Sequence, residues 1–230
     1  MFGTNVLRKY EDNFEGQMVQ VHEVFRTIQG EGPLSGVPSV FVRLTGCNFR
    51  CWFCDTHWND EEDPYYAVGQ LVQDIRDCGK TPLVVITGGE PCRQNLAPLV
   101  ANLRAYGYKI QVETAGSIWQ DCLVDTTIVV SPKAGKVAKE FLEERDNVYW
   151  KYVLEAGNID EDGLPLKNPQ RGKGRVARPP FYLGKDKIYV QPCDEQDESE
   201  NKANLFAVRN SCLEHGYRAS VQLHKLIDVE

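Results

Sequence analysis

No apolar run in this chain is long enough to cross a bilayer, and its first seventeen residues, MFGTNVLRKYEDNFEGQ, carry charge from Arg8 onward where an export signal has an apolar core. The expectation is a cytoplasmic protein with no membrane partner. Basic residues are in deficit, with 26 Lys and Arg against 33 Asp and Glu, a formal net charge of -7. A phosphate-neutralising surface needs the opposite balance, so nucleic acid is not an expected partner and a small substrate is. Export-type disulfides are not expected either. Cys78, Cys92, Cys122, Cys193 and Cys212 are scattered, and in a reducing compartment each reads as a small buried apolar side chain. No internal repeat is visible. With 42% hydrophobic and 26% charged residues, residues 1–230 are expected to form a single domain around one core.

What is present is alternation. Stretches rich in β-branched residues recur at Val19–Phe25, Val40–Leu44, Leu83–Ile86, Tyr108–Val112, Thr127–Val130, Val148–Val153, Lys187–Val190 and Ala219–Leu223, and read as strands. Helices are expected at Tyr66–Cys78, Gln94–Tyr106, Lys136–Glu144 and Asn201–His215; Gly79, Gly107 and Gly216 stop three of them. Such an order predicts an α/β fold with a largely parallel sheet, a complete or opened (β/α) barrel. The stretch 157–187, rich in Gly, Pro and charge, reads as a solvated loop insertion, with a lid or anion-binding loop as the alternative; Arg171, Lys173, Arg175, Arg178, Lys185 and Lys187 cluster in it. The acids of 194–200 suit a helix N-terminus.

One tight cysteine group remains. Cys47, Cys51 and Cys54 are spaced C-x3-C-x2-C, so that one loop can bring three thiols to one metal centre. A four-iron cluster held by three thiolates leaves one iron open to chelate a ligand, whereas an electron-transfer cluster is normally closed by a fourth. The competing reading is a zinc site of Cys47, Cys51, Cys54 and His57, in a non-enzymatic binding module. Downstream, Thr87-Gly88-Gly89-Glu90-Pro91 follows a predicted strand. Glycines there let backbone approach a ligand closely, and exposed carbonyls with the Glu90 carboxylate can accept from an ammonium; a plain tight turn explains the same residues.

The triplet, with aromatic Phe53 before its last cysteine, and the Gly-Gly-Glu motif together resemble the radical S-adenosylmethionine superfamily. That resemblance implies a full or partial (β/α) barrel, a [4Fe–4S] cluster on Cys47, Cys51 and Cys54, and S-adenosylmethionine cleaved to a 5′-deoxyadenosyl radical. Further segments, namely 25–32 (FRTIQGEG), 54–56 (CDT), 112–116 (VETAG), 131–133 (SPK) and 222–225 (QLHK), are similar to the 7-carboxy-7-deazaguanine synthase family and spread over most of the chain.

What this second resemblance implies is a carbon–nitrogen lyase of the queuosine pathway. It would convert 6-carboxy-5,6,7,8-tetrahydropterin to 7-carboxy-7-deazaguanine with loss of ammonia, helped by Mg2+, as a homodimer served by an electron donor such as flavodoxin or ferredoxin. It also implies site residues. Thr56 would bind Mg2+. Phe53, Cys54, Asp55, Gly88, Gly89, Glu90, Ser131, Pro132, Lys133, Gln191, Pro192, Cys193 and Asp194 would face S-adenosylmethionine. Ile28, Gln29, Gly30, Arg43, Thr87, His224 and Glu230 would face the pterin, with the Arg43 fork suited to its carboxylate. Arg43 also reads as a salt-bridge residue, Thr56 as a cap or turn hydroxyl and His224 as a structural histidine. Leu223 and Cys193 depart from the family, where a polar residue and Met are common, and 157–187 matches shorter members poorly. A radical activase of a glycyl-radical partner shares the triplet and the glycine motif, but 29–32 and the C-terminal histidine suit the pterin enzyme better.

Overall fold

The computed structural model describes residues 5–8, 17–57, 62–170 and 174–229. Nine strands form one open sheet. In chain order they are β1 (Met18–Ile28), β2 (Pro38–Leu44), β3 (Tyr65–Ala67), β4 (Leu83–Gly88), β5 (Lys109–Thr114), β6 (Thr127–Val130), β7 (Val148–Leu154), β8 (Ile188–Pro192) and β9 (Arg218–Ala219). The spatial order is β3-β1-β2-β4-β5-β6-β7-β8-β9 and does not close. β1 runs antiparallel to β2 and β3, and the pairings from β2 through to β9 are all parallel. The expected α/β partial barrel is therefore what forms.

Three long connections carry helices: α1 (Val68–Asp77) after β3, α2 (Ala97–Ala105) between β4 and β5, and α3 (Glu198–His215) between β8 and β9. α1 shows why these segments coil. Val68, Leu71, Val72 and Ile75 fall on one face and are buried against the sheet. Each contributes about 1.5–3 kcal/mol relative to exposure. α3 begins at Asp197, whose carboxylate accepts from the Glu200 N–H at 3.0 Å, and ends at Gly216 in the left-handed conformation, φ 77°.

Period-two alternation gives the sheet two unlike faces. Val40, Val42, Leu44, Val84, Ile86, Val112, Ile128, Val130, Trp150, Tyr152 and Val190 belong to the apolar core. Their neighbours in sequence, Phe41, Arg43, Thr87, Glu113, Ser131, Lys151, Val153 and Gln191, line the cavity on the opposite face.

Two expectations are corrected, and a third is made more specific. Lys136–Glu144 is no α-helix; only Lys139–Leu142 makes a 3-10 turn. Tertiary bonds compete there: Ala138 N–H donates to Gly116 O at 2.8 Å, and Phe141 is buried edge-on against Trp119. The strand expected at Ala219–Leu223 stops at Ala219, and a short α4 (Leu223–Leu226) follows. The stretch 157–187, expected as a solvated loop insertion, is in part packed against the rest of the fold. Leu164, Val176 and Ala177 are buried, the Tyr152 hydroxyl donates to Ala177 O at 2.8 Å, and Arg178 bridges Asp160 and Asp162. Of its basic cluster, Arg171 and Lys173 lie outside the described residues. No described helix is long and apolar enough to cross a membrane.

Candidate active site

A cavity of about 610 Å3 opens over the carboxyl ends of the parallel strands, where barrel enzymes gather ligands. Its lining brings together most of the residues singled out above: Cys47, Cys51, Phe53, Cys54, Asp55 and Thr56; Thr87, Gly88 and Gly89; Ser131 and Lys133; Gln191, Pro192, Cys193 and Asp194; and Ile28, Gln29, Arg43 and His224. Gly30, Glu90 and Pro132 do not line it. Glu230 lies outside the described residues.

The cysteine loop follows β2 and turns at Gly46, φ 86°. Cys47 and Cys51 are each 8% exposed. Burial pushes the Cys47 thiol up to about 12, although the Phe49 N–H donates to its sulfur at 3.3 Å. Burial also raises Cys51 and Cys54. The Lys133 ammonium draws Cys51 back down, and is itself lowered by burial while bonded to Ser131 O and Oγ at 3.0 and 2.6 Å. Burial keeps these thiols protonated until a metal displaces the protons on binding. Among the described residues no three His, Cys, Asp or Glu side chains are grouped as ligands of one ion, as the zinc alternative requires, and His57 is exposed. In a cluster each thiolate serves a different iron, so the three sulfurs need not converge on a point.

The glycine turn is fitted to this loop. Gly89 N–H donates to Leu44 O at 3.1 Å and Glu90 N–H to Gly46 O at 3.0 Å. Gly88, at φ 135°, has Leu44 O where a Cβ would lie, 2.0 Å away. Glu90 departs from the expected ammonium acceptor. Its carboxylate is fully buried and accepts from Cys92 N–H at 3.0 Å, the Thr114 hydroxyl at 2.7 Å and Ala115 N–H at 2.7 Å. It ties the turn to β5 and leaves the cavity face to backbone.

On the other side of the cavity, Arg43 donates to Glu23 at 2.5 Å and to the Thr56 hydroxyl at 3.2 Å, and lies over the Phe25 ring. The salt-bridge reading of Arg43 is thus satisfied together with its place on the cavity wall. The Thr56 hydroxyl donates to Asp55 Oδ1 at 3.3 Å. Gly30 supplies room: a Cβ there would meet His224 Nδ1 at 2.0 Å, and Gly30 O accepts from Leu223 N–H. Asp194, held at about 2 by its bond with Lys225, fixes α4 to the end of β8.

Reading the sequence missed the cavity floor. Lys151 Nζ donates to Glu31 at 2.5 Å and Glu113 at 2.8 Å. Gln29 donates to Glu113 at 3.0 Å, and Gln191 and Gln222 to Glu31 at 2.9 and 3.1 Å. Burial pushes Glu31 up, but Lys151 and Gln222 outweigh it and hold the carboxyl below its ordinary range; Lys151 is correspondingly raised. The available signal was a lysine in the middle of the apolar strand VYWKYVL.

Burial also lowers His224, against the pull of Glu31. A histidine whose pKa falls on folding adds stability above its unfolded value near ~6.5 and loses it as pH drops below that. Hydrogen-exchange protection of the α4 amides, corrected for intrinsic rate, is expected to fall between about pH 7.5 and about pH 5.5. His224→Gln should flatten that dependence; protection already flat in the unaltered chain would contradict the assignment.

An open, mostly parallel sheet that ends beneath a three-cysteine loop and a Gly-Gly-Glu turn defines a partial-barrel radical S-adenosylmethionine protein. The chain is 39% identical over 244 residues to the 7-carboxy-7-deazaguanine synthase of Rhodospirillum rubrum, covering 100% of both. It is 31% identical to that of Rickettsia prowazekii, covering 100% of this chain and 96% of the relative. The crystal structure of QueE from Escherichia coli superposes with a TM-score of 0.67 at 26% identity, over 93% of this chain and 99% of that one. No family model matches. The chain belongs to the 7-carboxy-7-deazaguanine synthase family.

Proposed function

We propose that this protein converts 6-carboxy-5,6,7,8-tetrahydropterin to 7-carboxy-7-deazaguanine, releasing ammonia, as a radical enzyme of the 7-deazapurine and queuosine pathway. The observation that carries the reading is that one cavity is walled by the cysteine triplet on one side and by Gln29, Arg43 and His224 on the other. The residues present fit a cluster: three cysteines line the cavity, Phe49 N–H bonds one sulfur, and Gly89 lets the turn after β4 pack directly on the backbone that carries Cys47. When bound there, a [4Fe–4S] cluster would supply the one-electron reduction of S-adenosylmethionine that radical chemistry requires.

The chain's own groups would orient the reactants. Cys47, Cys51 and Cys54 would hold the cluster. Gly88 and Gly89, the 131–133 segment and the end of β8 would hold S-adenosylmethionine, for which the buried Gln191 Oε1, without a hydrogen-bond partner among the described residues, is an acceptor in waiting. Arg43 would pair with the substrate carboxylate. Thr56 would hold Mg2+ through its hydroxyl oxygen beside Asp55, a hard-oxygen setting that suits the ion. A homodimer and a flavodoxin- or ferredoxin-type donor complete the reading.

The test is an anaerobic assay with reductant, S-adenosylmethionine, Mg2+ and the carboxytetrahydropterin, followed by mass spectrometry. The deazapurine acid is expected, and its absence from iron-replete protein would refute the proposal. Thr56→Val is expected to raise the Mg2+ concentration needed for half-maximal turnover about tenfold. An unchanged Mg2+ response removes Thr56 from the metal site.

A further inference from the structure

The segment joining β7 to β8 reaches the cysteine loop through the Gln170 side chain and the Pro169 carbonyl. Gln170 Nε2 lies 3.3 Å from Cys51 Sγ, and Gln170 Oε1 accepts from Arg50 N–H at 2.9 Å. The two contacts assign the amide. A backbone N–H can only donate, so the oxygen must face Arg50 and the NH2 must face the sulfur. The segment around it is braced. Trp52 N–H donates to Pro169 O at 3.1 Å, Gln170 N–H donates to Asn168 Oδ1 at 3.0 Å, and Asn168 Nδ2 donates to Gly174 O at 3.0 Å. Pro169 is buried. Gln170 is thus clamped to the loop at both ends of its amide, with an N–H aimed at a thiol that is 8% exposed.

We propose that Gln170 is a positioning residue that raises the reduction potential of the cluster by donating a hydrogen bond to the Cys51 sulfur. The inference rests on the cluster reading above. Reduction adds negative charge to the cluster and its sulfurs, and a donor to sulfur stabilises the more negative state, so the couple moves upward. This gives the described part of the 157–187 segment a function: it delivers a side-chain donor to the Cys51 sulfur.

Two substitutions separate donation from docking. Gln170→Glu keeps an oxygen for Arg50 N–H and replaces the donor with a lone pair. Gln170→Leu removes both contacts. The measurement is a redox titration of anaerobically reconstituted protein, followed by the electron paramagnetic resonance signal of the reduced cluster, with iron content determined on the same samples. At a fixed poise both variants are expected to lower the ratio of reduced to oxidised cluster about threefold to tenfold, Glu more than Leu; a tenfold change is a fall of about 59 mV for a one-electron couple. Unshifted potentials at equal iron content overturn the proposal. So does loss of the cluster in both variants, which would make Gln170 an assembly residue. Failure of the unaltered chain to take up iron and sulfide is a separate result, because it defeats the cluster reading itself before any substitution is made.

Discussion

Replacing Lys151 by Met is expected to cost about 3–5 kcal/mol of folding stability, the usual consequence of removing one partner from a buried ionic group. The side chain is 7% exposed and its ammonium joins Glu31 and Glu113, whose side chains are 14% and 16% exposed. Met fills the stem volume and leaves two carboxylates without their cation. The pH dependence distinguishes this from a packing loss. In the unaltered protein Glu31 is held below its ordinary range, so its contribution is present above about pH 4.3 and is lost as pH falls. Without Lys151 the largest remaining influence on Glu31 is burial, which pushes the carboxyl up. The folded variant then binds the proton more tightly than the unfolded chain does, and its stability falls as pH rises past the same value. The stability gap between the two proteins, from urea unfolding, should therefore widen between about pH 4 and about pH 7. Adding Glu31→Gln to Lys151→Met should recover part of the loss, because the pair is coupled. A gap that stays constant with pH would make Lys151 a packing residue.

The same strand shows what was legible in the sequence. Val148–Val153 reads as a strand from its β-branched and aromatic residues, and β7 forms within one residue of those bounds. The strands β2 and β4 to β8 are legible for that reason: apolar side chains at every second position meet the helices, and the pattern survives whatever the other face carries. The other face is where reading fails. Lys151, Glu31 and Glu113 lie far apart in sequence, and only the parallel register of β5, β6 and β7, with the turn after β1, brings them together. β3 is three residues long and β9 two, below the length at which a periodicity can be counted. Lys136–Glu144 has helical composition, but its backbone groups find partners on the 116 turn. Most of the candidate site was nonetheless readable, because motif residues such as Cys47, Gly89 and Ser131 follow strand ends that were themselves readable. Gln170 was not: it sits in a segment without periodicity, and its partner is 119 residues away.

Gly89→Ala is expected to abolish cluster uptake while the sheet remains folded. A Cβ at position 89 would lie 2.2 Å from Gly46 O, 2.6 Å from Gly46 C and 2.8 Å from Cys47 Cβ. None of these is the far end of a flexible side chain, so relief must come from moving the backbone that carries Cys47. That backbone is held by the bonds from Gly89 N–H to Leu44 O and from Glu90 N–H to Gly46 O, which the added methyl forces apart. Overpacking of this kind costs about 1–3 kcal/mol, which an apolar core of this extent can absorb. Metal ligation is less tolerant, since ligand distances must hold to about 0.2 Å. The folded fraction and the cluster should therefore respond differently. Circular dichroism should retain the α/β spectrum, while iron and sulfide after anaerobic reconstitution fall to a small fraction of the unaltered protein's. Gly69→Ala is the control. Gly69 lies in α1 with nothing within 4 Å of its built Cβ, so Ala there should keep full iron and raise stability by about 0.5–1 kcal/mol through helix propensity. Full iron content in Gly89→Ala would show that the glycine turn does not set the position of Cys47. Lost iron in Gly89→Ala with retained iron in Gly69→Ala would tie cluster binding to the contact between the turn after β4 and the loop after β2, two strand ends that the parallel register places side by side.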